Sequence, residues 1–330
     1  MLLFTFKGYM PPNKEVWNGR SDGGGSLRFH EAIKCIDITT DWSLPHSDSA
    51  FGLLGFASDE GIKRNKGRLG ARDGPSALRR CLAPLAYPSF ENHTHIYDFG
   101  DIACLDSDLE ASQIALSKAV HQLLQRNITP LLIGGGHEIA WAHYQGIRTA
   151  HPHKKIGIFN FDAHFDMREP LNTQSTSGSS FLQILRHDKE HQSPVSYSCL
   201  GIQSSSNTNL LFQTAKEWNA SYITADEFHL CGIEPALNMI DDLLQHIEIA
   251  YVSICMDVFA APFAPGVSVP QPLGLLPWHV LAPLQRLVSS GKTVAIDIAE
   301  LSPPNDISNT TAQLAAQLLY HALNKFKPGS

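Results

Sequence analysis

The 330-residue sequence lacks several features that would place it in common classes of protein. Its six cysteines form no CxxC pair and are scattered mostly through apolar segments. This scatter argues against a disulfide framework and favours reduced, buried thiols. No stretch approaches about 18 uninterrupted apolar residues, so we expect no membrane span. The N-terminal MLLFTF is short and has no basic region, so we expect no secretory signal and predict a cytoplasmic location.

Positive charge is also scarce. The chain has 25 Lys and Arg residues against 32 Asp and Glu residues, which gives a formal net charge of -7. The isoelectric point is near 6.1. A surface for nucleic acid or for an anionic membrane is therefore not expected. Hydrophobic residues make up 43% of the chain, which is ordinary for a globular protein with a sizeable core.

The first 50 residues have little periodic pattern, and WNGRSDGGGS (17–26) is typical of an irregular loop. We find no internal repeat and no composition break that would split the rest of the chain. We therefore predict an N-terminal arm over residues 1–50, packed on a single catalytic domain over residues 51–330.

Beyond residue 50, short apolar runs alternate with helical patterns. The predicted helices cover 109–127, with Ile114 on the apolar face, then 240–247 and 311–326. The apolar runs are FGLLGFA, HIYDFGD, TPLLIGG, KIGIFNF, VSYSCLGI, IAYVSIC and TVAIDIA. Continuous apolar strands between amphipathic helices predict a three-layer α/β/α domain with a mostly parallel central sheet.

Polar residues that could bind metal follow four of these runs. The segments are GGGHE (134–138), NFDAHFDMRE (160–169), CMDVFAAPFAPG (255–266) and DIAELSPPND (297–306). Chemistry in such folds gathers at the carboxyl ends of the strands. The recurrence at four ends predicts one shared site.

The segment DAHFD places Asp162, His164 and Asp166 at alternate positions, on one face of an extended chain. An extended span of this length covers roughly 13 Å, which is too long for three ligands of one ion. Either the chain curls after Asp162, or the ligands serve two neighbouring ions about 3.5–4 Å apart that share a carboxylate. A solvated loop with a stray histidine is the alternative, and three ligand types in five residues disfavour it.

His137 follows three glycines, which allow a sharp turn and close backbone approach. A phosphate-binding loop is the rival interpretation, but GGGHE lacks the Lys and Ser/Thr of a P-loop. A histidine ligand aimed at the DAHFD site is more economical. Glu138 is interpreted as a helix-start residue or as a partner of a ligand.

Asp257 and Glu300 add carboxylates at two further strand ends, although a solvated loop charge is an even alternative for Glu300. A mixed His/Asp site favours a divalent ion, with Mn²⁺ the natural candidate. Two such ions would acidify a shared water to hydroxide and polarise an electrophilic carbon. The chemistry implied is hydrolysis of a C–N bond.

These motifs resemble the arginase/agmatinase (ureohydrolase) family in order and spacing. GGGH, DAHFD, SxCMD followed by PFAPG, and DIAEL carry the resemblance, which extends from about Phe51 to the C-terminus. Finer details, including GGGHE, TSGSSF (176–181) and LGIQSSSNT (200–208), are similar to one branch. That branch hydrolyses N-formimino-L-glutamate to L-glutamate and formamide in histidine degradation. The resemblance thus implies a small-molecule substrate and, from the trimers and hexamers common in the family, a homo-oligomer.

The resemblance implies two manganese ions bridged by Asp162. His137 and Asp166 would complete one position, and His164 and Asp257 the other. Family enzymes place a second bridging aspartate two residues before the Asp257 position, whereas this chain has Cys255 there. A thiolate is a softer ligand than a carboxylate, so we expect a weakened second position and an altered metal preference.

The resemblance also assigns residues that would contact the substrate. Glu300 would hold the cationic amidine, and Asp166 would orient the attacking hydroxide and relay its proton to the departing amine. Arg168, Ser177, Gln203 and Asn207 would shape the substrate side, with Arg168 facing a carboxylate because its planar fork suits bidentate pairing.

Three other hypotheses stay open. The chain could be a ureohydrolase acting on arginine, agmatine or a guanidino acid. It could be a family member that keeps the fold without catalysis, an idea that Cys255 favours. A nucleotide-binding α/β protein that uses GGGHE is the remaining alternative.

Overall fold

A computed structural model describes residues 6–23, 27–40, 42, 44, 50–88, 95–170, 172, 174–193 and 195–328. Its strands are β1 (Tyr9–Met10), β2 (Lys34–Cys35), β3 (Ala50–Ala57), β4 (His95–Ala103), β5 (Ile128–Ile133), β6 (Ile156–Phe161), β7 (Val195–Ile202), β8 (Ser221–Thr224), β9 (Ile249–Cys255) and β10 (Thr293–Ala299). The seven apolar runs are strands β3 to β7, β9 and β10, which confirms the prediction.

These strands form one sheet in the order β1-β4-β3-β5-β10-β9-β6-β7-β8, with β2 also paired to β4. Among the pairings of the described strands, β1 with β4 is antiparallel and the others are parallel. Strands β5, β10, β9 and β6 are consecutive neighbours. Their carboxyl ends therefore bring together GGGHE, DIAE, CMD and DAHFD, the four segments singled out above.

The helices cover both faces of the sheet. They are α1 (Phe29–Ala32), α2 (Glu60–Arg64), α3 (Gly74–Leu82), α4 (Leu109–Leu124), α5 (Ile139–Ala150), α6 (Ser180–His191), α7 (Asn209–Glu217), α8 (Ala225–Cys231), α9 (Glu234–His246), α10 (Pro277–Val288) and α11 (Thr310–Lys325). One core lies under α3 and α8 to α11, and the other under α4 to α7. Successive residues of β9 alternate between them, since Val252 joins the first core and Tyr251 the second. The predicted three-layer fold is confirmed.

Two predicted helices differ in detail. Helix α4 ends at Leu124, and Ile114 is 51% exposed, so the prediction that it lies on the buried face was wrong. The helix predicted at 240–247 begins earlier, at Glu234, with Pro235 in its first turn. Proline suits that position because its fixed φ is already helical, a signal that apolar spacing alone misses.

The N-terminal residues contribute to the sheet more than their sequence indicated. Strands β1 and β2 both pair with β4, and the Trp17 indole N–H donates to Asp98 Oδ2 at 2.8 Å. Residues 1–5, 24–26, 41, 43 and 45–49 of the predicted arm, including the GGS end of WNGRSDGGGS, lie outside the described residues.

The cysteines are all free, as predicted, but they are not uniformly buried. Cys199 and Cys255 are buried, whereas Cys231 is exposed. Over the described part of the chain, every helix is too short or too polar to cross a membrane.

Candidate metal centre

His137 is placed by the glycine turn after β5. A Cβ at Gly135 would lie 2.0 Å from the Ser58 carbonyl oxygen, so the turn needs glycine for close backbone approach. The His137 backbone N–H donates to Glu300 Oε1 at 3.0 Å, and its ring is 1% exposed. The Nδ1 atom lies 2.9 Å from Asp162 Oδ2 and 2.9 Å from Asp166 Oδ2.

The DAHFD segment curls directly after β6. The His164 backbone N–H donates to Asp162 Oδ1 at 2.8 Å, and Asp166 has a left-handed backbone with φ of +49°. His164 Nδ1 then lies 3.1 Å from Asp257 Oδ2 and 3.5 Å from Asp162 Oδ1. The two interpretations of this segment are therefore compatible. The chain curls, and its ligands also face two different residues, His137 for the aspartates and Asp257 for His164.

The donor atoms form two compact groups that share Asp162. One group contains His137, Asp162 and Cys255, and the other contains Asp162, His164 and Asp257. Within each group all donor atoms lie within 4.8 Å of one another. The Cys255 thiol, which is 1% exposed, thus lies with the His137 group.

Some of the buried polar atoms in this cluster have no hydrogen-bond partner among the described residues. They include His137 Nδ1, Asp257 Oδ1 and Glu300 Oε2. Buried polar atoms are nearly always satisfied. Nitrogen and oxygen donors that face one another without bonding fit a divalent ion held between them. The residues present therefore fit a pair of metal positions.

The electrostatics of the cluster also favour cations. Burial and the neighbouring Asp162 carboxylate raise the pKa of Asp166 and Asp257. Burial and Asp257 raise the pKa of Glu300 well above its ordinary value. Burial lowers the pKa of His137, but the adjacent carboxylates outweigh it and raise this pKa. Negative charge is thus concentrated where water cannot screen it.

The cluster forms the floor of a cavity of about 410 Å³. Its lining includes Asn65, Lys66, His137, His164, Asp166, Arg168, Ser177, Asn207, Cys255, Asp257, Ser268, Val269 and Glu300. Of the predicted substrate-side residues, Arg168, Ser177 and Asn207 line this cavity. The Ser177 hydroxyl accepts a hydrogen bond from the Asn65 amide at 3.1 Å.

Gln203, which was predicted to shape the substrate side, is absent from the described lining of this cavity. Its side-chain amide donates to the Leu273 carbonyl at 2.6 Å, and its backbone N–H donates to the Ala163 carbonyl at 3.0 Å. Asn207 lines the cavity, but its amide also donates to Ala163 O at 2.8 Å and its Oδ1 accepts from the Phe165 N–H. The loop after β7 thus holds the DAHFD turn in shape, and an Asn/Gln pattern alone does not separate this role from substrate contact.

Glu138 behaves as a residue that positions a loop. Its Oε1 accepts from the Ser58 hydroxyl at 3.1 Å and from the Gly61 N–H at 3.0 Å. These bonds anchor the segment that leads to Asn65 and Lys66. Neither lining residue was predicted from the sequence, although the Asn-Lys-Gly run at residues 65–67 was an available turn signal.

Comparisons with known proteins agree with this architecture. The Arginase family model matches residues 49–324. Formimidoylglutamase of Legionella pneumophila (strain Paris) is 42% identical over 317 residues, covering 96% of this chain and 97% of that protein. Formimidoylglutamase of Geobacillus sp. (strain WCH70) is 42% identical over 322 residues, with 96% and 97% covered.

Solved structures show the same fold. The crystal structure of formimidoylglutamase from Bacillus subtilis superposes with a TM-score of 0.80 at 24% identity, covering 93% of this chain and 94% of that one. Trypanosoma cruzi formiminoglutamase with Mn²⁺ gives a TM-score of 0.75 at 26% identity, covering 84% and 93%. The family model matches most of this chain, and relatives that are 42% identical cover 96% of it. This chain therefore belongs to the arginase family.

Proposed function

We propose that the protein hydrolyses the C–N bond of N-formimino-L-glutamate, giving L-glutamate and formamide, as a step of histidine degradation. The observation that carries this proposal is the pair of ligand groups sharing Asp162 beneath a cavity that also contains Glu300. Relatives named formimidoylglutamase at 42% identity over nearly the full chain support this substrate. They favour it over arginine, agmatine or a guanidino acid.

Two manganese ions are the proposed cofactors, because the donors are imidazole and carboxylate groups and a solved relative carries Mn²⁺. When bound, the metal supplies Lewis-acid chemistry that makes water nucleophilic near neutral pH. His137, Asp162 and Asp166 would hold one ion, and His164 and Asp257 the other, with Asp162 common to both. Cys255 belongs to the donor group of His137. The position expected to be weakened is therefore the one with His137, rather than the second position, with His164 and Asp257, that the sequence indicated.

Glu300 is suited to hold the formimino group. Its Oε1 is fixed by the His137 N–H, whereas its Oε2 has no described partner and the residue lines the cavity. The backbone of Glu300 has φ of +67°, an unfavourable conformation for a non-glycine residue that aims the side chain. A cationic amidine would offset the cost of this buried carboxylate and be oriented by it.

Asp166 is the proposed proton carrier. Its carboxylate lines the cavity, and its Oδ2 lies 2.9 Å from His137 Nδ1. It would accept the proton of the attacking water and deliver it to the glutamate nitrogen as the C–N bond breaks. The formimino carbon gains the water oxygen and leaves as formamide, and the amine leaves as glutamate.

Product analysis tests the proposed function. Protein stripped of metal and reloaded with Mn²⁺ should release equimolar glutamate and formamide from N-formimino-L-glutamate, and no urea from arginine, agmatine or a guanidino acid. Urea release from any of these three would instead identify another ureohydrolase. A protein that binds metal but turns over none of the substrates would be a non-catalytic member of the family.

The mouth of the cavity is suited to the two carboxylates of the substrate. Lys66 and Arg168 both line it, and both are exposed without an ion pair among the described residues. The floor is acidic and the mouth is basic, which matches a substrate with a cationic amidine at one end and carboxylates at the other. The backbone of Arg168 is fixed, because its N–H donates to the Gly178 carbonyl at 2.9 Å.

Arg168→Gln and Lys66→Gln should therefore each raise KM for N-formimino-L-glutamate by roughly 10- to 100-fold, the worth of one charge-assisted hydrogen bond. The change in kcat should be smaller, since neither side chain contacts the reacting carbon. Arg186→Gln is the matched control, because Arg186 pairs with Glu169 outside the cavity lining. Initial-rate kinetics measure both constants, and an unchanged KM in both cavity variants would remove these residues from substrate binding.

A homo-oligomer, a cytoplasmic location and an N-terminal arm on a catalytic domain stay predictions. The exposed apolar side chains Leu230, Leu273 and Trp278 support an assembly of this chain. Light scattering of the purified protein would measure it.

A further inference from the structure

A stripe of polar side chains crosses the buried sheet behind the proposed metal ligands. Tyr251, Ser253 and Cys255 occupy alternate positions of β9 and so share one face, on the side of α5. Tyr251 and Ser253 are fully buried, and Asp297 of β10, which is in register with Ser253, is fully buried as well. A buried carboxylate inside an otherwise apolar strand is costly unless it is well bonded. This stripe is therefore expected to have a functional role.

Hydrogen bonds join Asp297 to His137 through one hydroxyl. The Ser253 hydroxyl donates to Asp297 Oδ1 at 2.6 Å and lies 2.9 Å from His137 Nε2. On the other side, Tyr251 OH donates to Asp297 Oδ2, and His143 Nδ1 lies 2.7 Å from the same oxygen. His143 belongs to α5 and is fully buried.

The direction of these bonds fixes the proton on His137. Three donors converge on Asp297, which as a carboxylate can only accept. The single hydroxyl proton of Ser253 is thus committed to Asp297, and only its lone pairs are left to face His137. His137 must then donate from Nε2, and in the neutral imidazole this leaves Nδ1 as a bare nitrogen facing Asp162 and Asp166.

We propose that Asp297, acting through Ser253, holds His137 in the tautomer whose Nδ1 can bind a metal ion. Ser253 and Asp297 are positioning residues, because neither reaches the cavity lining among the described residues. The proposal rests on the proposed assignment of His137 as a ligand. It does not depend on which amidine is hydrolysed.

Asp297→Asn separates this role from simple packing. An asparagine satisfies Tyr251 and His143 best when its carbonyl oxygen faces them, so its NH₂ group then faces Ser253. The amide would donate to the Ser253 oxygen, and the Ser253 hydroxyl would turn to donate to His137 Nε2. The proton of His137 would move to Nδ1, where it competes with the metal. Ser253→Ala removes the acceptor instead and leaves the tautomer unfixed.

Titration of the full-length apo protein with Mn²⁺, followed by electron paramagnetic resonance, measures the proposal without any substrate. Asp297→Asn and Ser253→Ala should each weaken one of two manganese positions by roughly 10- to 100-fold, the usual effect of losing a partner of a metal ligand. The affected position should be the one that His137→Ala abolishes, and adding Asp297→Asn to His137→Ala should not weaken the remaining position. Tyr251→Phe is the matched control, since it removes one donor to Asp297 and keeps the Ser253 bond; its affinities should stay within about threefold of wild type.

Three results would overturn the proposal. The first is wild-type manganese affinity in both Asp297→Asn and Ser253→Ala. The second is an equal loss at both positions, in step with a lower melting temperature of the apo protein. The third is a loss in Tyr251→Phe as large as that in Asp297→Asn, which would assign the effect to packing. If His137→Ala keeps two full-affinity positions, the ligand assignment itself is wrong, a failure distinct from these three.

Discussion

Asp162→Asn should lower the rate of N-formimino-L-glutamate hydrolysis on the order of 10³-fold, because it removes a central charge from a preorganised, water-poor site. Asp162 is the one residue common to both ligand groups, and its two carboxylate oxygens face different histidines. Asparagine has nearly the same shape but offers one oxygen and one NH₂ group, so it can serve one position at most. The metal content should therefore fall from two manganese ions per chain to one or fewer.

Asp257→Asn is the internal comparison for this prediction. Asp257 belongs only to the group with His164, so its amide should weaken one manganese position and leave the His137 group occupied. Metal analysis after gel filtration, together with formamide release, measures both variants. If Asp162→Asn retains two manganese ions and full turnover, the shared-carboxylate arrangement is wrong. If Asp257→Asn loses both ions, the two groups are not independent positions.

The sheet could be predicted because its strands are buried on both faces. Strands such as IAYVSIC and TVAIDIA are almost entirely apolar, which is the pattern of a parallel sheet covered by helices. The strand order could not be read in the same way. β10 lies between β5 and β9 although it follows both in the chain, since pairing of distant strands is decided by packing that local sequence does not encode.

The proposed ligands were recognisable because metal-binding side chains occur at strand ends, where parallel strands meet. Whether the DAHFD segment stays extended or curls was left open by the sequence, since the left-handed turn at Asp166 is not encoded by the residue types alone. Ser253 and Asp297 are polar residues within apolar runs of the sequence, but only the register of β9 with β10 shows that they bond to each other. Lys66 was overlooked because it lies far from the ligand motifs in sequence and reaches the cavity on a separate loop.

Cys255→Asp should strengthen manganese binding in the His137 group by roughly tenfold, at the low end of effects seen for changes around metal ligands. The reason is ligand chemistry, because Mn²⁺ prefers carboxylate oxygen and a thiolate prefers softer ions. The wild-type thiol is also a poor donor before metal binds. Burial and the nearby Asp162 and Asp257 carboxylates raise the pKa of the Cys255 thiol well above its ordinary value.

Two serine variants distinguish the contribution of the thiol at this position. Cys255→Ser keeps the approximate size of the side chain and replaces sulfur by a neutral oxygen. Its preference for zinc over manganese should therefore fall, but its manganese affinity should rise less than that of Cys255→Asp. Cys199→Ser is the matched control, since Cys199 is equally buried but its thiol donates to the His164 carbonyl at 3.3 Å and belongs to neither ligand group. Its metal preference should equal that of wild type. Competition titrations between Zn²⁺ and Mn²⁺ measure these ratios.

Cys255→Asp should have opposite effects on the apo and metal-loaded proteins. A new carboxylate beside Asp162, Asp257 and Glu300 adds buried like charge, so the apo protein should unfold at a lower temperature than wild type. Manganese would neutralise that charge, and the rise in melting temperature on adding Mn²⁺ should exceed the wild-type rise, because tighter binding to the native state stabilises it more. Thermal unfolding with and without Mn²⁺ measures both effects. Equal rises in the two proteins, with an unchanged zinc-to-manganese ratio, would mean that the side chain at position 255 does not bind the metal.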